Sequence, residues 1–388
     1  MLIKREIFES IRGLINKYPV LAITGPRQSG KTTLLQKLIP DYQYINLENP
    51  DMRDFAASDP NSFLAKYRHQ VIFDEVQNVP ELFSYIQTIA DESNLMGQFI
   101  LSGSQNFHLM HSITQSLAGR VAIFRLLPFD HQELAASDIL NADYLHNIVH
   151  GYYPAIYSRN ITPRIFYSNY IQTYIQRDVS SLIAIKDLKL FQKFLSLCAT
   201  RAGQLLNMNS LANECGISQP TAKSWLSALE NSYIVFTLSP FHDNFSKRII
   251  KTPKLYFYDS GLLCHLLGFT NPDQILTHHF KGSLFENAMI AEYVKRMNHK
   301  NHLQNIWFWR DAAGHEIDLI VQEGLKLNLI EIKATQTIQT DLFKGLEYFA
   351  NRSKQENLTK TLVYAGSDYQ NRTIAEIVPW FEFGKKLL

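Results

Sequence analysis

Apolar and polar positions alternate in three distinct rhythms along the chain. Ile3, Ile7, Ile11 and Leu14 recur every three or four residues, which predicts an amphipathic opening helix over 1–18. From about 19 to 127 short β-rich runs at 20–24, 42–47, 70–73, 98–102 and 121–126 alternate with helix-length segments such as 32–38 and 81–92. Several of these runs are almost continuously apolar, the pattern of strands covered on both faces of a parallel sheet. Past Pro128 the strands thin out. The stretch 163–200 predicts two helices, one presenting Phe166, Tyr170 and Tyr174 and the next Leu188, Phe191, Leu195 and Cys198. Residues 204–240 predict a small helical unit ending in a strand. From about 282 the rhythm returns to α/β, with a helix over 282–297 and strands at 305–309, 316–321 and 327–332, then a further helix and strand.

This punctuation predicts an α/β multidomain chain of three units: 1–135, 136–275 and 276–388. A length of 388 residues exceeds what one ordinary core organises, and 46% hydrophobic with 19% charged residues is the composition of folded domains. The net charge of +2 neither demands nor excludes nucleic acid, so any basic surface must be local. Cys198, Cys215 and Cys264 are odd in number and lack metal-ligand spacing, which predicts reduced thiols. The N-terminus runs straight into charge, unlike a secretory leader. No apolar run approaches the ~20 residues that span a bilayer. The expectation is a cytoplasmic protein without a membrane partner.

The sharpest chemical signal is Gly25-Pro26-Arg27-Gln28-Ser29-Gly30-Lys31-Thr32, followed by Thr33. It fits G-x-x-x-x-G-K-[ST] between a strand and a helix. Glycines let the backbone bend and aim its N–H groups at phosphates, and the helix start adds positive potential. Lys31 is expected on the β- and γ-phosphates of ATP, and the Thr32 hydroxyl on Mg²⁺. Val71-Ile72-Phe73-Asp74-Glu75 ends a buried strand in two carboxylates. Asp74 suits the Mg²⁺ shell, and Glu75 can polarise the attacking water. The strand 99–102 runs into Gly103, Ser104 and Gln105; Ser104 or Gln105 is placed to bond the γ-phosphate or the water, with plain turn chemistry as the alternative. Arg120 is a candidate for transition-state charge or an ordinary surface arginine.

Together, Thr24–Thr33, Phe73-Asp74-Glu75-Val76-Gln77, Leu101-Ser102-Gly103-Ser104-Gln105 and Leu117-Ala118-Gly119-Arg120 resemble the AAA-type ATPase of a prokaryotic family. In that family the ATPase is fused to a C-terminal domain of unknown function (number 4143). Arg177-Asp178, the stretch 254–262 and Gly282-Ser283-Leu284-Phe285-Glu286 extend the resemblance over nearly the whole chain. It implies a further strand between the phosphate-loop strand and the Asp74 strand, with Glu75 near the γ-phosphate. It also implies assembly into a homo-oligomer with an arginine acting across subunits.

Ser210 to Glu230 reads as helix, glycine turn at Gly216, and a second helix capped by Ser218, with Pro220 tolerated in the first turn. A wing-like strand at 233–239 makes this a winged-helix candidate. The second helix offers Lys223 alone as a base-reading cation, while Lys247, Arg248, Lys251 and Lys254 are candidates for holding phosphate backbone. Packing between domains or subunits is the competing role.

The last unit carries a second constellation. In Leu329-Ile330-Glu331-Ile332-Lys333 the two-residue period puts Glu331 and Lys333 on one face and the isoleucines on the other. Asp318 interrupts another apolar strand, and Glu286 lies among Leu284, Phe285, Ala288 and Met289 on the preceding helix. Charges placed so near a core need partners, and a hard divalent cation is a natural one. A loose D-x(n)-E-x-K pattern arises about once by chance at this length; its position on strands is what matters. The arrangement resembles the PD-(D/E)XK nuclease fold. That resemblance assigns Asp318 and Glu331 to Mg²⁺ or Mn²⁺, Lys333 to charge stabilisation or water positioning, and Glu286 to an accessory acid. Two readings stand: an ATPase whose nucleotide state controls binding or cleavage of DNA or RNA, and an ATP-driven switch with a non-cleaving nuclease-like domain.

Overall fold

The computed structural model describes residues 3–386 except 94, 105–112, 114–115, 180–184, 186, 242–251, 303–304, 354 and 356, and describes only the backbone of 38 and 176–178. The chain forms two compact units, one of 1–129 with 231–233 and 297–302, the other of 130–230, 234–296 and 303–388.

The first unit is a parallel sheet between two helical layers. Its elements are α1 (Ile7–Leu14), β1 (Val20–Thr24), α2 (Lys31–Leu38), β2 (Gln43–Asn46), α3 (Pro50–Ser58), α4 (Pro60–Lys66), β3 (Val71–Asp74), α5 (Leu82–Ser93), β4 (Phe99–Gly103) and β5 (Val121–Arg125). The strand order is β2-β3-β4-β1-β5, all parallel, so β4 separates the phosphate-loop strand from the Asp74 strand as the resemblance implied. Alternation along β1 explains the layers. Leu21 and Ile23 pack with Ile7, Ile11, Leu34 and Leu35, whereas Val20 and Ala22 face the cluster of Phe63, Leu82, Phe83 and Ile86. The helices α3 and α4 lie in a polar stretch; Asn49 and Asp59 cap them, each followed by proline at the first helical position.

The second unit begins with short helices α6 (His131–Ala135), α7 (Tyr144–His150), α8 (Pro154–Ser158) and α9 (Pro163–Tyr170), the last continuing as a π-helix over Ile171–Val179. Next come α10 (Leu188–Ala199), α11 (Met208–Cys215) and α12 (Gln219–Asn231). Gly216 turns between α11 and α12 at φ 84°, and the Ser218 hydroxyl accepts the Thr221 N–H at 3.2 Å, as the sequence predicts. Trp225 of α12 meets Phe191 and Phe194 of α10 edge-on. Strands β6 (Val235–Leu238) and β7 (Lys254–Phe257) form an antiparallel pair.

After α13 (Ser260–Leu266), α14 (Asp273–Leu276) and α15 (Lys281–His299) comes the C-terminal sheet. It is built from β8 (Ile306–Arg310), β9 (Glu316–Glu323), β10 (Lys326–Lys333), β11 (Leu358–Tyr364), β12 (Gln370–Asn371) and β13 (Glu376–Pro379), with α16 (Lys344–Arg352) between β10 and β11. The order is β12-β13-β11-β10-β9-β8; β8, β9 and β10 run antiparallel, and the α16 crossover makes β11 parallel to β10. Ile317, Leu327, Leu329, Leu346, Phe349 and Leu362 are among its core. Among the described residues no helix is long and apolar enough to cross a membrane.

Candidate functional site

The phosphate loop leaves the buried end of β1. Gly25 sits at φ 149°, and a Cβ there would lie 2.1 Å from the Leu126 carbonyl oxygen, so only glycine fits the turn. Gln28 at φ 62° and Gly30 at φ 95° continue the curl that delivers the chain into α2. Arg5 braces the outside of the loop: its guanidinium donates to Ser29 O at 2.8 Å and Leu127 O at 2.6 Å. Lys31 is buried, and its ammonium donates to Gly25 O and Pro26 O, each at 2.9 Å. Burial pushes its pKa down, and the nearby Glu75 and Asp74 work in the opposite direction. Among the described residues the buried Ser29 hydroxyl has no hydrogen-bond partner. A lysine with backbone carbonyls as its partners and an unsatisfied hydroxyl, in a loop only glycine can form, suit a phosphate group. Pro26 is buried, Gln28 and Thr33 are exposed, and Arg27 pairs loosely with Glu48 at 3.8 Å.

Sheet order sets what surrounds Asp74. Its Oδ2 accepts from the Thr32 hydroxyl at 3.0 Å and from the Tyr44 hydroxyl, while Oδ1 accepts from Ser102 Oγ and the Glu75 N–H. The two residues expected on Mg²⁺ therefore lie together. Burial and the bond to Asp74 raise the Tyr44 pKa, so this group stays a donor. Glu75 occupies φ 54°, a strained conformation for a residue with a side chain. Its Oε2 accepts from Ser104 Oγ at 2.9 Å, Ser104 N at 3.3 Å and Gln77 Nε2 at 2.5 Å. Ser104 thus meets Glu75; Gln105 lies outside the described residues. Tyr44 and Ser102 reach Asp74 from the neighbouring strands, an order that sequence spacing does not show, whereas Gln77 reaches Glu75 from two residues along the chain.

Arg120 lies away from the phosphate loop of its own chain. Val20 N donates to its carbonyl, which puts Arg120 at the start of β1, the far end of that strand from Gly25. Its guanidinium is paired with both oxygens of Asp91, so it is not among the groups around the loop of its own chain. Arg125 lies at the loop end of β5: it is level with Thr24 in the β1–β5 register and interacts with Tyr233, whose hydroxyl bonds Thr24 Oγ1 at 2.8 Å.

The second constellation also comes together. Lys333 Nζ lies 3.0 Å from Asp318 Oδ2 and 2.5 Å from Glu331 Oε1, and Asp318 Oδ2 accepts the Ile332 N–H at 2.8 Å. Burial and the Asp318 charge push Glu331 up to about 8. Although burial works against its charge, Asp318 is held low by Lys333 and Lys254. Glu286 stands with Glu316 and Asp318, one carboxylate oxygen of each within 4.8 Å of the others. Glu316 and Lys254 were missed as members of this group. Lys254, a candidate for holding phosphate backbone, is buried, bonded to Glu286 at 2.9 Å and to Glu316. Lys247, Arg248 and Lys251 lie outside the described residues, and Lys223 is exposed on α12.

The comparisons agree with the motifs. Residues 17–135 match the family described as AAA domain, 141–273 match a domain of unknown function (DUF8612), and 281–383 match a domain of unknown function (DUF4143). The uncharacterized protein Rv2008c of Mycobacterium tuberculosis is 30% identical over 338 residues, which covers 86% of this chain and 74% of that protein. The uncharacterized protein Mb2031c of Mycobacterium bovis gives the same figures. The chain belongs to their family. Within this family member the N-terminal part is an AAA-type P-loop ATPase domain and the C-terminal part a DUF4143 sheet domain. Among solved structures, the Walker-type ATPase PABY2304 of Pyrococcus abyssi is similar at 14% identity and TM-score 0.44, covering 69% of this chain and 96% of that one. Domain III of the Thermotoga maritima replication initiation protein DnaA is similar at 20% identity and TM-score 0.29, covering 42% and 82%.

Proposed function

We propose that this protein hydrolyses ATP at the Gly25–Thr32 loop and that its nucleotide state controls binding or cleavage of nucleic acid by the C-terminal domain. One observation carries the ATPase reading: the Thr32 hydroxyl and the Asp74 carboxylate meet at 3.0 Å beside the glycine turn, with Glu75 next in the chain. Thr32 and Asp74 would hold Mg²⁺, which neutralises phosphate charge when bound. Lys31 exchanges its carbonyl partners for phosphate oxygens, and Glu75 orients the attacking water once released from Gln77 and Ser104. Glu75→Gln should retain ATP while slowing hydrolysis at least tenfold. Wild-type turnover in that variant would remove Glu75 from the role.

The C-terminal half of the proposal rests on Asp318, Glu331 and Lys333 converging on adjacent strands as in PD-(D/E)XK nucleases. Asp318 and Glu331 would take Mg²⁺ or Mn²⁺, which generates a nucleophilic water at neutral pH when bound. Lys333 stabilises developing charge, and Glu286 is the accessory acid. The helix pair α11–α12 with the β6–β7 hairpin supports a winged-helix reading, although Lys223 is a sparse endowment for groove contact. A cleavage assay on DNA and RNA with Mg²⁺ or Mn²⁺, with and without ATP, against Asp318→Asn and Lys333→Ala, decides this half. No cleavage under any nucleotide condition leaves the second reading, a switch whose nuclease-like domain only binds. That reading is favoured by the internal pairing of Glu286 and Glu316 with Lys254. Arg120 fits the arginine of the resemblance only by acting on a second copy, so sedimentation with and without ATP tests whether oligomers form.

A further inference from the structure

We propose that Lys254 is the built-in cation of the C-terminal carboxylate cluster and limits it to one divalent metal, at Asp318 and Glu331. This rests on the metal-binding reading above and specifies its stoichiometry. Strand β7 presents Lys254 and Tyr256 on the same face, two residues apart. Both reach Glu286: the Lys254 ammonium lies 2.9 Å from Oε1, and the Tyr256 hydroxyl donates to the same oxygen at 2.6 Å. The ammonium also bonds Glu316, whose other oxygen is 3.2 Å from the Arg310 guanidinium. Lys254 is 2% exposed, so water screens its own bonds little, whereas the Arg310–Glu316 pair is partly open to solvent.

The carboxylates differ in how they are neutralised, although Asp318 borders Glu286 and Glu316 and also feels the Lys254 charge. Glu286 and Glu316 have their charge matched by Lys254 and Arg310, which together with Tyr256 engage Glu286 Oε1 and both oxygens of Glu316. Asp318 and Glu331 share Lys333, which is a third exposed, and Glu331 Oε2 is buried with no hydrogen-bond partner among the described residues. A buried carboxylate oxygen without a partner calls for a ligand. A divalent ion there gains Asp318 and Glu331 together. A second ion on Glu286 and Glu316 would stand within a few ångströms of the ammonium in a desolvated setting, where like charges repel strongly. Lys254 therefore does for one half of the cluster what a second metal does in two-metal sites.

The test is Mn²⁺ binding to the full-length, nucleotide-free protein, read by calorimetry and by electron paramagnetic resonance of free Mn²⁺. Subtracting the Asp318→Asn variant isolates the C-terminal ions. Wild type and Lys254→Arg should bind one Asp318-dependent Mn²⁺ per chain, whereas Lys254→Met should bind two, or one at least tenfold more tightly. Where Lys254→Met does not fold, Lys254→Gln removes the charge and keeps a donor, and should give the same gain. One Asp318-dependent ion of unchanged affinity in all of these variants overturns the role of Lys254 and leaves the metal reading standing. No Asp318-dependent ion in any of them overturns the metal reading itself.

Discussion

Replacing Gly25 with alanine adds one methyl group at the point where β1 becomes the phosphate loop. That carbon would lie 2.1 Å from Leu126 O and 3.0 Å from Leu126 C. Leu126 cannot easily yield, because its N–H is held by Thr24 O at 2.8 Å. The backbone at φ 149° adds about 1–3 kcal/mol for any residue with a side chain. Overpacking against a fixed backbone adds about 1–3 kcal/mol more. A sum near 4 kcal/mol, borne by the loop conformation that receives phosphate, lowers nucleotide affinity by two to three orders of magnitude, since ~1.4 kcal/mol is tenfold. Gly119→Ala is the matched control. It too has positive φ, 78°, but none of the described residues lies within 4 Å of its added carbon, so only about 1–2 kcal/mol of backbone strain is expected and no loss of affinity. Titration with a fluorescent ATP analogue, alongside urea unfolding of each variant, reads both effects. Affinity within threefold of wild type for Gly25→Ala, or equal losses in both variants, would refute the steric argument.

Lys31→Ala should reduce ATP affinity or turnover at least a hundredfold; unchanged values in both would displace the phosphate from this loop. His131 is held neutral in the folded chain, its pKa pushed down to about 3 by burial and then by the Lys295 charge. Its unfolded value is near 6.5, so the stability it supports is complete above that pH and is lost as pH falls towards 3. At pH 5 the loss is about 2 kcal/mol, from roughly 1.36 kcal/mol per pH unit. His131→Asn lacks this slope, so urea midpoints of wild type and variant should converge between pH 7 and pH 5; parallel curves would contradict the assignment. Trp225→Ala removes the ring that meets Phe191 at 5.3 Å and Phe194 at 5.5 Å, and should destabilise by about 3–5 kcal/mol in chemical unfolding. A change under 1 kcal/mol would show that α10 and α12 do not depend on it.

The parallel sheet was legible because its strands are buried on both faces and read as apolar runs bounded by glycine, proline and charge. Thr32 and Asp74 were legible because the chemistry of a phosphate loop demands them. The helices α3 and α4 were missed in a polar stretch, although the Asn49-Pro50 and Asp59-Pro60 pairs are start signals that could have revealed them. Tyr44 and Ser102 could not be found by spacing, since only the order β2-β3-β4 brings them to Asp74, whereas Gln77 stands two residues from Glu75 and was within reach of it. Lys254 was misplaced for a related reason. It follows charged residues and so read as part of a basic surface run, yet its strand turns it inward to a helix and a second sheet. Arg120 was chosen from a motif, and the motif does not say at which end of β1 the arginine falls.

The brace from Arg5 has a practical consequence for dissecting the protein. The AAA match starts at residue 17, an inviting place to cut a minimal ATPase fragment. Such a fragment would lack the guanidinium that fastens Ser29 and Leu127, and would lay bare the patch on Leu21, Ile23 and Phe124 now covered by Ile7 and Ile11. Its phosphate loop would be slack and its surface sticky. Weak turnover in that fragment would therefore not by itself show a need for the C-terminal domains, because sixteen bracing residues and the Tyr233 bond to Thr24 are missing too.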